Sequence, residues 1–201
     1  MLTKMISGDK NISEEREGNM AGNELLIVDA KDQEIGYGEK MEVHRKGVLH
    51  RAFSVFLLDA DSGMLLLQKR NQEKYHSGGL WSNSCCSHQY QGETLLQAVN
   101  RCMKDELGIG TEQCSSVAEA GVFTYFSDYG EMKEHEIDHV FLCCTDTAGR
   151  NALCPNQTEA EDVRWIRPGD LDEQLKTHPE LFTSWFAPAY GEIQKTEVCG
   201  K

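Results

Sequence analysis

The sequence predicts an α/β sandwich: a mixed β-sheet with flanking helices. Three observations lead there. The stretch GVLHRAFSVFLLDADSGMLLLQKR (47–70) holds two long apolar runs separated by turn chemistry, and strands this apolar belong in a sheet covered on both faces. ETLLQAVNRCMKDEL (93–107) has helical periodicity and stands in the middle of strand-like segments. The order of strands, one helix, more strands and then helices suits a mixed sheet between helical layers.

Taken in order, ELLIVDA (24–30) is the first strand, DAKDQEIG a turn, and a second strand ends near Tyr37. AFSVFLL and MLLLQKR form a hairpin around DADSG. WSNSCCSHQYQGE (81–93) reads as a loop bounded by a tryptophan and a glycine. In 93–107, Leu95, Val99, Cys102 and Met103 make the apolar stripe, and Gly108 is the stop. VAEAGVFTYF (117–126), HEIDHVFLCCT (135–145) and EDVRWI (161–166) are strands. PGDLDEQLKTHP opens a helix with proline, and ELFTSWFAPAYGEIQK is the last helical stretch. Residues 1–23, polar and charged, read as a flexible tail; 24–195 form one domain and 196–201 a C-terminal tail.

A chain of 201 residues with 39% apolar content can build one ordinary core. A net charge of −13 argues against nucleic acid and anionic membrane surfaces as partners, although a few cations in one pocket can still hold a small phosphate. No run approaches the ~18–20 apolar residues of a membrane span. Eight cysteines occur, but Cys85–Cys86 and Cys143–Cys144 are adjacent pairs and residues 1–23 contain no apolar run. Reduced thiols in a cytoplasmic protein are therefore expected, as a monomer, with a dimer the alternative.

The chemistry concentrates in a few places. His44 and His50 are six apart with a glycine between them, and His88 follows the cysteine pair. Glu134 and Glu136 flank His135; on a strand they project side by side with His135 turned away. Three imidazoles and two carboxylates make an octahedral set for a divalent first-row metal, with scattered surface histidines as the plain alternative. His76, His135, His139 and His178 read as unselected. An ordinary thiol, with a pKa of about 8.5, keeps its proton at neutral pH, so Cys86 can serve as acid, nucleophile or soft ligand.

The helix carries a graded pattern. Glu93, Arg101, Met103, Glu106, Gly108 and Ile109 fit Gx5Ex7REUxEExGU, with U apolar, and Asp105 is a near fit. Ser87 replaces the initial glycine and Cys102 the glutamate after arginine. This resembles the Nudix box, whose carboxylates hold Mg²⁺ against a diphosphate. The missing carboxylate implies other chemistry on the same platform.

EKMEVHRKGVLHRAFSV, LLLQKR, GLWSNSCCSHQYQGE and YGEMKEHEIDHVF together resemble type I isopentenyl-diphosphate delta-isomerase, a Nudix-fold enzyme, over about Glu24 to Tyr190. The resemblance implies a Nudix-like α/β/α sandwich. It implies an isomerase that interconverts isopentenyl and dimethylallyl diphosphate by protonating and deprotonating the alkene. It makes Cys86 and Glu136 the opposed acid/base groups and Tyr125 a proton relay. It makes His44, His50, His88, Glu134 and Glu136 the ligands of a divalent metal, with manganese, zinc and magnesium all open. Glu106 and the Cys86 backbone carbonyl would hold Mg²⁺ on the substrate diphosphate. Lys40, Arg70 and Lys74 would face that diphosphate, and Trp185 would cap the pocket. Three departures stand out: Gln89 where proline is usual, Cys102 where a second arginine is common, and Ser184 where proline is common. The rival readings are a Nudix-type diphosphate hydrolase and a non-catalytic metal- or thiol-sensing module.

Overall fold

The computed structural model describes residues 24–196. The expected tails fall outside that range, Thr196 apart. Among the described residues nine strands join in one mixed sheet: β1 (Glu24–Val28), β2 (Glu34–Glu39), β3 (His50–Asp59), β4 (Met64–Arg70), β5 (Trp81–Ser82), β6 (Cys85–His88), β7 (Ser116–Asp128), β8 (Lys133–Thr145) and β9 (Ala160–Ile166). The helices are α1 (Lys40–Lys46), α2 (Leu95–Leu107), α3 (Thr147–Ala152), α4 (Pro168–Thr177) and α5 (Phe186–Gln194).

The axis of the sheet is β3, which runs parallel to β8 from His50↔Glu136 to Asp59↔Thr145. Its side-chain alternation separates two cores. Phe53, Val55 and Leu57 pack with Phe141, Cys143 and the Ala98, Val99, Cys102, Met103 and Leu107 stripe of α2. Phe56 and Leu58 pack with Val140, Leu142 and the Phe186, Ala189, Tyr190 and Ile193 face of α5. Helices thus cover both faces, as the apolar strands predict.

On its other side β3 pairs with β4 only from Leu57↔Leu66 to Asp59↔Met64. The two strands then part, and β6 takes the place beside Ala52–Val55. Ser84 bridges the split. Its hydroxyl accepts from Leu57 N–H at 2.7 Å and donates to Leu66 C=O at 2.7 Å, while its own N–H reaches Val55 O. One short side chain therefore satisfies backbone groups that a continuous ladder would otherwise pair.

The structure corrects several local expectations. The 81–93 loop contains β5 and β6, so Cys86 and His88 sit on a strand. A helix, α1, lies between β2 and β3: Glu39 caps it by accepting from Met41 and Glu42 N–H, and Gly47 ends it at φ 64°. The 93–107 helix begins at Leu95 with a Thr94–Gln97 capping box and stops at Gly108, φ 73°. The last helical stretch is a 3-10 turn, Pro179–Leu181, followed by α5. Among the described residues no helix is long and apolar enough to cross a membrane.

Candidate active site and metal centre

Along the α5-facing side of β3 and β8 the alternation turns polar toward one end. Glu134, Glu136 and Asp138 take the β8 positions that precede Val140 and Leu142, and all three are buried. His135 turns away, its Nδ1 2.9 Å from Gly47 O. His50 opens β3, His44 comes from α1 and His88 ends β6. The three imidazole centroids form a triangle 4.9 Å on each side.

The ring orientations have backbone causes. His44 Nδ1 is 2.6 Å from Lys40 O, and His50 Nδ1 is 2.8 Å from Val48 O. A nitrogen facing a carbonyl carries the hydrogen, so each Nε2 offers a lone pair inward. Those two Nε2 atoms are buried without a hydrogen-bond partner among the described residues, as is His88 Nδ1. They stand 3.4 Å from Glu134 Oε2 and Glu136 Oε1 respectively. Ligand atoms of His44, His50, His88, Glu134 and Glu136 all lie within 4.8 Å of one another. Opposite donors around a cation with bonds of about 2.1 Å are ~4.2 Å apart, so the five residues fit one divalent ion. Orphaned buried lone pairs are costly unless something meets them, which is the further sign of fit.

Glu136 is the hinge between this cluster and a cavity of about 240 Å³. Its Oε1 meets His88 Nε2 at 2.8 Å, and its Oε2 accepts from the Tyr125 hydroxyl at 2.6 Å. Burial pushes its carboxyl up, but Glu134, the His50 ring and the Tyr125 hydroxyl outweigh burial and hold it at about 2. Burial, with the Glu136 charge next, drives the Tyr125 phenol well above its usual range. Burial also drives the Cys86 thiol well up, with Arg70 opposing. His88 is pushed well below the histidine range by burial and then by His50. Burial lowers His44, but Glu134, the Lys40 carbonyl and Glu136 together outweigh it and the ring rises.

Cys86, Tyr125, Glu134, Glu136 and Trp185 line that one cavity together with Lys40, Arg70, Lys74 and Glu106. Trp185, 3% exposed, donates Nε1–H to Asn83 Oδ1 at 3.2 Å, and Asn83 in turn donates to Cys85 O at 2.6 Å. The Arg70 guanidinium lies 5.2 Å from the Trp185 ring centre. Lys74 is ion-paired with Glu159. Glu106 is raised to about 7, by burial and then by Glu159, and is held by Gln68 and Cys102.

Other box residues serve structure. Glu93 accepts two bonds from Arg101 and one from Tyr90 N–H. Cys102, 1% exposed, packs in the α2 core. Gln89 ties Arg51 to the Glu93 carbonyl, and its N–H bonds Arg51 O, which proline could not do. His76, Asp138 and Ser54 join the site without being among the residues that the sequence motifs single out. His76 Nε2 lies 2.6 Å from Glu134 Oε1. Asp138 accepts from Ser54 at 2.8 Å, leaves Oδ1 without a hydrogen-bond partner among the described residues and is raised well up, by burial and then by Glu136. Asp138 was open to discovery, since it continues the Glu134–Glu136 alternation; His76 lies 58 residues from its partner and carried no local signal.

Residues 48–186 match the NUDIX domain family. An isopentenyl-diphosphate Delta-isomerase of Photobacterium profundum is 42% identical, over 81% of this chain and 89% of its own. Isopentenyl-diphosphate Delta-isomerase 2 of Aromatoleum aromaticum is 39% identical, over 85% and 86%. The crystal structure of DR0079 from Deinococcus radiodurans shares the fold, with a TM-score of 0.68 at 18% identity over 86% of this chain and 98% of that one. The chain belongs to the NUDIX-domain family and, within it, to the isopentenyl-diphosphate Delta-isomerases.

Proposed function

We propose that residues 24–195 form one catalytic domain that interconverts isopentenyl and dimethylallyl diphosphate, with Cys86 and Glu136 as the acid/base pair. The observation that carries this reading is the convergence of the Cys86 thiol and the Tyr125–Glu136 pair on a single cavity. Moving the double bond requires a proton added at the terminal alkene carbon, which leaves the tertiary carbon cationic, and another removed from the carbon on the far side of that centre, a 1,3-allylic shift. A thiol and a carboxylate on the walls of one slot supply both partners. The Tyr125 hydroxyl, donating to Glu136 Oε2, can pass a proton between that carboxylate and the substrate. At about 240 Å³ the cavity is below the ~300–1,000 Å³ typical of drug-sized ligands, in keeping with a small substrate. Trp185 closes it, keeps water from a developing tertiary cation and offers that charge a π face.

A divalent cation held by His44, His50, His88, Glu134 and Glu136 would add positive charge beside Glu136, whose ionised form its neighbours already favour. Glu106 and the Cys86 carbonyl would hold Mg²⁺ on the diphosphate, where the half-buried Glu106 carboxyl, pushed up to about 7, lacks part of the solvation that a cation replaces. Lys40, Arg70 and Lys74 would neutralise the diphosphate, Lys74 leaving Glu159 to do so. Hydrolysis is disfavoured, because Cys102 lies in the core and Glu93 is committed to Arg101. The cytoplasm is the inferred location.

Proton NMR of isopentenyl diphosphate incubated with the protein in D₂O, with Mg²⁺ and Mn²⁺, tests the reading. Dimethylallyl product with deuterium in the new methyl group is expected. Phosphate release without an allylic product would replace the isomerase by a hydrolase.

A further inference from the structure

A fourth histidine stands against the metal-binding carboxylates. His76, in the segment between β4 and β5, is 8% exposed, and its Nε2 lies 2.6 Å from Glu134 Oε1. It is outside the five-residue group that fits the cation. The opposite oxygen of Glu134, Oε2, is the one that faces His44 Nε2, at 3.4 Å. The Ser77 hydroxyl sits 3.1 Å from His76 Nδ1 and can donate to it, which places the ring hydrogen on Nε2, toward Glu134.

The ring is gripped from several sides. It stacks on Tyr129 at 4.5 Å and 8°, and meets Tyr75 and Trp185 edge-on at 4.7 and 5.8 Å. Ser77 holds a left-handed backbone, φ 53°, a conformation unfavourable for a non-glycine residue, so the segment is kept in place against local preference. The Tyr129 hydroxyl is 2.8 Å from Ser184 Oγ, and Ser184 Oγ is 2.9 Å from Ser127 Oγ. Ser184 immediately precedes Trp185.

We propose that His76 is a positioning residue of the metal centre. By donating Nε2–H to Oε1 it ties down one oxygen of Glu134 and leaves Oε2 as the single oxygen turned to the cation beside His44. Through Tyr129 and Ser184, the same contact fastens the ligand carboxylate to the segment that carries the capping tryptophan. The inference rests on reading His44, His50, His88, Glu134 and Glu136 as one metal site. Hydrogen bonds that orient ligand carboxylates are worth about 10–100-fold in metal affinity.

Two substitutions separate the hydrogen bond from packing. His76→Phe keeps an aromatic ring against Tyr129 and removes the donor; His76→Gln keeps a donor and removes the ring. Mn²⁺ affinity of the metal-stripped full chain, measured by competition with a chelator, should fall about 10–100-fold in H76F and stay near wild type in H76Q. Wild-type affinity in H76F overturns the proposal, as does equal weakening in both variants. A wild-type chain that binds no Mn²⁺ removes the metal site itself, and this inference with it.

Discussion

One face of β3 and β8 is used in two opposite ways. Along the second halves of these strands, Phe56, Leu58, Val140 and Leu142 meet Phe186 and Tyr190 in an apolar core. Along the first halves, the same alternation presents His50, Ser54, Glu134, Glu136 and Asp138, all buried. The apolar half is complete as folded. In the polar half His44 Nε2, His50 Nε2, His88 Nδ1 and Asp138 Oδ1 lack hydrogen-bond partners among the described residues, and burial without partners is a cost the rest of the molecule must carry. This strand pair therefore holds its site by extending a core register into polar residues, and stability and chemistry can be perturbed separately along one surface.

The largest break is expected at the chemistry. Cys86→Ala and Glu136→Gln should each lower turnover by ~10²–10⁴-fold, the usual effect of losing a general acid or base, as measured by product formation. The unfolding midpoint of Cys86→Ala should move little, because that side chain belongs to neither apolar core. Activity near wild type in either variant would end the acid/base assignment.

At the other half the pattern should reverse. Phe56 is fully buried and lies 5.7 Å from the Phe186 ring and 6.1 Å from Tyr190. Phe56→Ala should cost about 3–5 kcal/mol in denaturant unfolding, with turnover per folded molecule preserved. A proportionate loss of turnover in the folded fraction would show that the two halves are not independent.

Metal addition should join the halves. Mn²⁺ at a hundred times its dissociation constant should stabilise the stripped protein by about 2.7 kcal/mol through mass action, and His44→Ala or His88→Ala should lose this increment together with bound metal and activity. Full turnover in metal-stripped wild type would remove the role assigned to the five ligands.

Much of this division was legible in the residues. The hairpin of β3 and β4, the α2 stripe with its glycine stop, and the pairing of Glu134 with Glu136 on one face all follow from short-range periodicity. What escaped is nonlocal or brief. β6 is four residues, Cys85–His88, with no alternating apolar signal, and it exists because Ser84 bridges a split between strands some 18 to 27 residues away in sequence. α1 spans only seven residues; its Glu39 cap and Gly47 stop were readable but easily overlooked between two strands. His76 resembled any surface histidine until the fold carried it to Glu134.

The smallest effect is the sharpest test of where the two regions meet. Cys85 and Cys86 are neighbours on β6, opposite Val55 and Ser54, so their side chains leave the strand on opposite faces. Cys85 is fully buried in the α2 core, whereas Cys86 lines the cavity. Cys85→Ala removes one sulfur from that core while the Asn83 bond to the residue 85 carbonyl is retained. It should cost about 1 kcal/mol in unfolding free energy and leave turnover unchanged, the mirror image of Cys86→Ala. If instead Cys85→Ala removed activity and left the unfolding midpoint in place, the strand would be facing the other way, and the reactive thiol would belong to residue 85.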